Sequence, residues 1–221
     1  MSDRLIQIRR TLRELQDPLP PNRERRCEDK RIRILEATLE LALTRGWSGL
    51  TVESVATRAK VSKQTIYRWW TSKGDLLFDA VASDGFRWPA FPDSGDFRAD
   101  LTTGVRNIVT QFSERSFDAL MRAMLTGASE DEDLAKRLDQ YLSTVPLAFV
   151  MERIESAEQA GQIGQSTDPA ALAEIVYGAA FRRWLFRSGS LDFEFAGAIV
   201  SVVLDAVESG GSAESDLPSR P

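Results

Sequence analysis

The chain has 221 residues, of which 43% are hydrophobic and 28% are charged, a composition typical of a folded globular protein. It contains no histidine, which removes the commonest general base and metal ligand, and no apolar run approaches the ~20 residues that span a bilayer. Since the N-terminus also lacks the apolar segment of a secretory signal, we predict a cytoplasmic protein without membrane contact, enzymatic activity, cofactor or metal.

Charge is distributed unevenly along the chain. Residues 1–75 hold 16 lysines and arginines against 10 acidic residues, whereas residues 76–221 hold 12 against 23. A basic first third joined to an acidic remainder predicts that only the first part meets a polyanion such as DNA.

Residues 1–30 are predicted to form an N-terminal extension. Leu5, Ile8 and Leu12 are spaced as one stripe of an amphipathic helix over residues 1–16, and a proline-rich linker follows at 17–22. The arginines of this helix could follow DNA phosphates, or its leucine stripe could pack on the body or on another subunit. Disorder is equally consistent with so short a helix.

Residues 31–80 carry the signals of four consecutive helices. The first starts near residue 31 and is ended by Gly46, because glycine adopts the left-handed conformation without steric penalty. Thr51, Ser62 and Ser72 are good N-caps for the next three. These three helices are predicted at 52–59, 63–70 and 73 to about 83.

The rest of the chain also follows the helical period, and no stretch alternates as a strand would. A loop is predicted at 85–95, and a polar, disordered tail at 209–221. The helices between them are predicted at about 96–114, 116–127, 131–162, 168–188 and 192–208. The fold class is therefore all-α.

The third helix presents cations, an amide, a hydroxyl and aromatic rings on its outer face. Such a mixture suits a helix that reads a DNA groove, because cations bind phosphates and amides or apolar groups contact base edges. A solvated polar face of a helical bundle is the alternative, but the caps, the small Ala56 and the local positive charge favour DNA binding. The predicted DNA-binding residues of this helix and its cap are Ser62, Lys63, Gln64, Thr65, Tyr67, Arg68 and Trp69.

Two segments, Gly49–Ala56 and Ala59–Leu77, are similar to the N-terminal DNA-binding domain of the TetR family of one-component transcriptional regulators. The resemblance covers residues 31–80. It implies that Thr51 and Tyr67 contact phosphates and that Lys73 binds a backbone phosphate. It also places Lys63, Gln64, Thr65 and Trp69 at the groove-facing positions, with Trp70 in the core.

Lys60 departs from this family pattern, because many members have glycine in the turn between the second and third helices. A lysine at this position either accepts a positive φ at modest cost or alters the turn.

The resemblance further implies an all-α architecture with an N-terminal helix-turn-helix domain at 31–80. A C-terminal bundle at 81–208 would bind a ligand and form the dimer. The expected function is that of a repressor that binds a palindromic operator as a dimer and is released by a ligand. Its expected partners are double-stranded DNA, a second copy of the chain and an unidentified small-molecule effector.

The helices after residue 96 supply candidates for the pocket and for the dimer interface, although ordinary core packing is the alternative for each set. The pocket candidates are Phe112, Phe117, Met121, Met124, Tyr141, Phe149 and Trp184. The interface candidates are Ala171, Gly178, Phe181, Ala196, Ile199, Val200 and Val203.

Two other classes of function remain open at this point. A helical enzyme could use the carboxylates of residues 130–133, although this run is better interpreted as the charge cluster of a helix N-terminus, because no other type of metal ligand accompanies it. A protein-interaction adaptor could dock its N-terminal helix in the groove of a partner.

Overall fold

The computed structural model describes residues 25–86, 88–164 and 168–210, and the regular structure in these ranges is helical. This confirms the all-α prediction. The predicted helix at 1–16, the proline-rich linker and residues 211–221 of the predicted tail lie outside the described residues. Residues 209 and 210, also predicted to belong to the tail, are helical. The helices are α1 (Arg25–Gly49), α2 (Val52–Ala59), α3 (Lys63–Tyr67), α4 (Lys73–Ala80), α5 (Phe97–Ser113), α6 (Arg115–Ala128), α7 (Glu132–Leu142), α8 (Val145–Gln159), α9 (Pro169–Phe186) and α10 (Phe193–Gly210).

The chain divides into two compact units. Within the described residues, the head unit comprises 25–86 together with 115–143, and the body unit comprises 88–114, 144–164 and 168–210. The head unit therefore contains α1–α4, α6 and α7, and the body unit contains α5 and α8–α10. Residues 115–143, which we predicted within a ligand-binding and dimerisation domain, pack against the helix-turn-helix region in the head unit.

Helix α1 is longer than the sequence suggested at both ends. It begins at Arg25, so residues 25–30 of the predicted extension form its first turns. Gly46 adopts the expected positive φ of 63°, and the chain then continues as helix to Gly49 across this kink. Ile34, Leu41 and Ala42 are buried on the inner face of α1.

The single helix predicted over 131–162 is wrong. The structure has two helices, α7 and α8, separated at Ser143 and Thr144, and they belong to different units. Pro146 lies in the first turn of α8, where its missing N–H is harmless, whereas inside a continuous helix its ring would clash with the carbonyl one turn earlier.

The helices on either side of the α3–α4 connection are shorter than predicted. Helix α3 ends at Tyr67 and not at Trp70, because the Trp69 N–H donates to the carbonyl of Ile66, three residues back, and tightens the last turn. Helix α4 ends at Ala80, and a single π-helical turn covers Val81–Gly85.

A buried ion pair joins α5 to α8 in the body unit. Arg153 Nη2 lies 2.8 Å from Asp100 Oδ2, and both residues are no more than 3% exposed. Burial alone would raise the pKa of Asp100, but hydrogen bonds from Ser94 and Arg153 hold it below its ordinary value. The pair therefore contributes stability above the ordinary aspartate pKa, and this is lost as the pH falls through the lowered one.

We expect Asp100→Asn to lower the free energy of unfolding by about 3–5 kcal/mol at neutral pH, because Arg153 would keep a buried charge without its partner. Urea denaturation followed by circular dichroism measures this, and the difference from wild type should shrink below about pH 4. Asp93→Asn is the matched control, since Asp93 lies 3.8 Å from the same arginine but its side chain is 54% exposed. An equal loss in both variants would contradict the assignment.

Candidate nucleic-acid interface

Three side chains cap the helices of the helix-turn-helix region, as the sequence predicted. Thr51 and Ser54 form a reciprocal capping box at the start of α2, with the Ser54 amide 3.0 Å from Thr51 Oγ1. Ser62 accepts from the Thr65 amide at the start of α3, and Ser72 accepts from the Asp75 amide at the start of α4. Each cap satisfies an amide that the helix itself leaves without a partner.

Lys60 resolves the alternatives for the turn between α2 and α3. It adopts the left-handed conformation (φ 54°, ψ 49°) and its amide donates to the carbonyls of Ala56 and Thr57. The turn thus keeps the geometry that glycine would give, at the modest steric cost of a lysine at positive φ.

Helix α3 exposes the side chains predicted to contact DNA. Ile66 is 1% exposed and anchors the helix, whereas Tyr67 is 54% exposed. Lys63, Gln64 and Arg68 are exposed, and Thr65 and Trp69 are half-buried. The helix therefore presents donors, acceptors and an aromatic hydroxyl on its outer surface, as groove contact requires.

Lys63 is paired with a carboxylate that the sequence analysis did not assign. Its Nζ lies 2.8 Å from Glu53 Oε1 on α2. Hydrogen bonding between the two groups lowers the pKa of Glu53 and raises that of Lys63. Because water surrounds both groups, the pair is weak, and Lys63 can exchange Glu53 for a phosphate.

The adjacent tryptophans have different environments. Trp70 is 3% exposed, and its indole N–H donates to Asp79 Oδ2 at 2.9 Å. Trp69 is half-buried and packs edge-on against Trp70, with 5.6 Å between ring centroids. Trp70 is thus a core residue, as predicted, whereas Trp69 is partly accessible, and its contact with DNA stays a prediction.

Lys73 does not project freely into solvent. Its ammonium lies 3.6 Å from the centroid of the Trp47 ring and 3.2 Å from the Trp47 carbonyl oxygen. Burial lowers the pKa of Lys73, and the negative charge of Glu130 acts in the opposite direction. Contact with a phosphate therefore requires the side chain to exchange or share these partners.

The acidic run at 130–133 begins helix α7. Asp131 caps the helix by accepting from the Leu134 amide at 3.0 Å, and Glu132 and Asp133 lie in the first turn. The prediction of a helix N-terminal charge cluster is confirmed. No group of acidic or cysteine side chains suited to a metal ion occurs in the ranges that the structure describes.

Arg137 connects α7 to α4, a link that the sequence did not reveal. Its guanidinium lies 2.9 Å from Asp75 and 2.7 Å from Asp79. Burial alone would raise the pKa of Asp75, but hydrogen bonds from Thr71 and the charge of Arg137 lower it. The spacing of the two aspartates by one helical turn was the only available signal, since Arg137 is 58 residues distant from Asp79.

Comparison with known proteins identifies this architecture. The sequence pattern of bacterial regulatory proteins of the tetR family matches residues 34–80, and that of the tetracyclin repressor-like C-terminal domain matches residues 91–203. The chain belongs to the TetR family. A solved structure of the TetR-family transcription regulator SCO0332 is 36% identical, with a TM-score of 0.65 over 81% of this chain and 98% of that one.

Relatives of this TetR-family protein are regulators of transcription. The DNA-binding transcriptional repressor TetR of Mycobacteroides abscessus is 28% identical over 81% of this chain and 94% of its own length. The helix-turn-helix-type regulator YdeS of Bacillus subtilis is 26% identical over 82% of this chain and 91% of its own length. These matches confirm a DNA-binding transcriptional regulator and not an enzyme. In the part of this regulator that the structure describes, no helix has both the length and the apolar character of a bilayer span.

The predicted pocket residues of this TetR-family regulator divide between the two units. The head unit contains Phe117, Met121, Met124 and Tyr141, all buried. The body unit contains Phe112 and Trp184, whose ring centroids lie 6.2 Å apart, together with the half-buried Phe149. Their role as effector contacts remains a prediction.

The predicted interface residues also have two kinds of environment. Ala171 and Gly178 on α9 are exposed, and Phe181 is half-buried. The four candidates on α10 are covered by their own chain, which leaves little of their surface for a partner. They are Ala196 (1% exposed), Ile199 (5%), Val200 (7%) and Val203 (0%).

Trp69 and Trp70, which follow α3, provide a matched test of the helix-turn-helix assignments. We expect Trp70→Ala to lower the free energy of unfolding by about 3–5 kcal/mol, because a large buried side chain is removed. Trp69→Ala should cost much less stability but weaken binding to a DNA duplex. Urea denaturation followed by circular dichroism and a gel-shift titration separate the two effects. Equal destabilisation by both substitutions would show that the core and surface assignments are wrong.

Proposed function

We propose that this regulator is a repressor that binds a palindromic operator as a homodimer in the cytoplasm and leaves it when a small molecule binds. The DNA-binding part of the proposal rests on the exposed outer face of α3, which the capped helix-turn-helix holds in place. The proposed groove contacts are Lys63, Gln64, Thr65 and Trp69. The proposed phosphate contacts are Thr51, Tyr67 and Lys73. Ser62 and Arg68 border the same surface.

Exposed apolar and small residues on α9 and α10 support the dimer. On α9, Ile175 is 41% exposed, and the space beside Gly178 is open to at least 4 Å. On α10, Val202 is 53% exposed, and the space beside Gly197 is equally open. We therefore assign the α10 part of the interface to this exposed side of the helix and not to its buried side. A two-fold dimer would let two copies of α3 read half-sites one helical turn apart.

Aromatic clusters support an effector with apolar surface. In the body unit, Phe181 lies 5.6 Å from Trp184 and 6.4 Å from Phe112, measured between ring centroids. We propose that effector binding displaces α4. Only residues 68–72 separate α4 from α3. Displacement of α4 would therefore move α3 and change the distance between the two copies of α3 in the dimer, so that they no longer match the two half-sites.

The deciding experiment is footprinting on the DNA that flanks its own coding region, followed by titration of the protected duplex. We expect Lys73→Ala to weaken binding to operator and unrelated duplexes alike, because a phosphate contact carries no sequence information. The slope of log affinity against log salt should fall by about one.

Lys136→Ala is the matched control for this titration. Lys136 is an exposed lysine of the same unit, paired with Glu132 one turn away, and its loss should leave the affinity and the salt slope unchanged. Wild-type affinity in Lys73→Ala would contradict the phosphate assignment. A wild-type protein that binds no DNA fragment would contradict the proposed function as a whole.

The dimer proposal has its own test. Val202→Asp would place a carboxylate in the proposed interface, and we expect the dimer dissociation constant to rise roughly tenfold or more, because the charge would lose its hydration on burial. Sedimentation velocity over a range of protein concentrations measures this. Leu43→Asp, on a side chain of α1 that is 40% exposed, should leave the dimer intact. A Val202→Asp protein that dimerises as wild type does would exclude this face.

A further inference from the structure

The turn between α6 and α7 is fixed to the helix-turn-helix region through Trp47. The Trp47 indole N–H donates to Glu130 Oε2 at 2.7 Å. Helix α6 packs so closely on the same side chain that a Cβ on Gly127 would lie 2.7 Å from the Trp47 ring. Beside it, Ser72 donates to Asp131 Oδ2 at 3.2 Å. Trp47, at 5% exposure, thus has a fixed position relative to this turn.

The same indole holds the cation at the start of α4. The Lys73 ammonium lies over the Trp47 ring and donates to the Trp47 carbonyl. The Glu130 carboxylate is close enough to act on this ammonium electrostatically. Glu130, Trp47 and Lys73 therefore form one connected set, which we name the Trp47 cluster.

Glu130 opposes DNA binding if Lys73 contacts a phosphate. Its negative charge attracts the ammonium that the phosphate would have to recruit. The hydrogen bond to the indole also fixes the ring on which Lys73 lies. The side chain of Glu130 is exposed, and the contacts described for it are those with Trp47 and Lys73.

We propose that Glu130 is a positioning residue that limits the DNA affinity of the regulator by holding Lys73 on Trp47. This inference rests on the proposed phosphate contact of Lys73. It assigns a function to the α6–α7 turn, which belongs to the head unit although it lies outside the helix-turn-helix sequence. Any displacement of this turn changes DNA affinity without altering a residue that reads bases.

Glu130→Gln is the informative substitution. The amide oxygen still accepts from the Trp47 indole, but the charge is absent. We expect duplex affinity to rise about two- to five-fold, the range expected for one partly exposed charge interaction. The salt slope should become steeper by up to about one. In wild type, Glu130 takes up a cation when Lys73 leaves it, which offsets the cation that the phosphate releases, and glutamine takes up none.

A double-mutant cycle separates this mechanism from general repulsion between the protein and DNA. We expect Glu130→Gln to have no effect on affinity in a Lys73→Ala background, because the two residues act as one unit. All titrations use the same duplex at about 50 mM salt, where the loss of one phosphate contact leaves binding measurable. Asp133→Asn is the matched control, since it removes an exposed carboxylate from the first turn of α7 and should leave affinity unchanged.

The outcomes are distinct. Unchanged or weaker binding by Glu130→Gln, with a circular dichroism spectrum like that of wild type, overturns the proposal. An equal gain in the Lys73→Ala background, or in Asp133→Asn, also overturns it, because the effect would then be long-range repulsion. Absence of DNA binding by the wild-type protein would instead overturn the proposed function. Glu130→Ala adds a second readout, because the lost indole acceptor should lower the thermal midpoint while Glu130→Gln preserves it.

Discussion

Burial of the Trp47 indole is the constraint on which the head unit depends. The ring follows the kink at Gly46, and α6 approaches it at Gly127, where any larger residue would collide with the indole. Its N–H is satisfied by Glu130 and its face by Lys73. One side chain thus joins the supporting helix α1, the turn before α7 and the start of α4, so the helix-turn-helix is held as part of a larger packed unit.

The connection between α4 and α7 extends this constraint. Arg137 forms ion pairs with Asp75 and Asp79, and its guanidinium lies 4.1 Å from the centroid of the Phe78 ring. A planar guanidinium satisfies two carboxylates and an aromatic face together, which a lysine ammonium would not do equally well. Helix α4 is therefore held by α7, a segment more than fifty residues away in the sequence. Since α4 follows α3 in the chain, a movement of α7 could be passed through α4 to α3.

Much of the helix-turn-helix region could be predicted from the sequence because its determinants are local. The caps at Thr51, Ser62 and Ser72 each act on an amide three residues away in the same helix. Helix ends were less certain. The break between α7 and α8 depends on Pro146, whose effect differs between the first turn of a helix and its interior, and periodicity alone does not distinguish these cases.

The sequence by itself determined the all-α class, the capped helix-turn-helix and the family, since each follows from residues close together in the chain. Only the tertiary structure decided that Lys60 accepts the left-handed conformation, that Lys63 pairs with Glu53 and that Lys73 lies on Trp47. It also decided which side of α10 is buried: Ile199 and Val203 face inward, and Val202 faces outward. These features depend on which charged groups and apolar faces come into contact in the folded chain. Such contacts are set by packing between segments that are distant in the sequence.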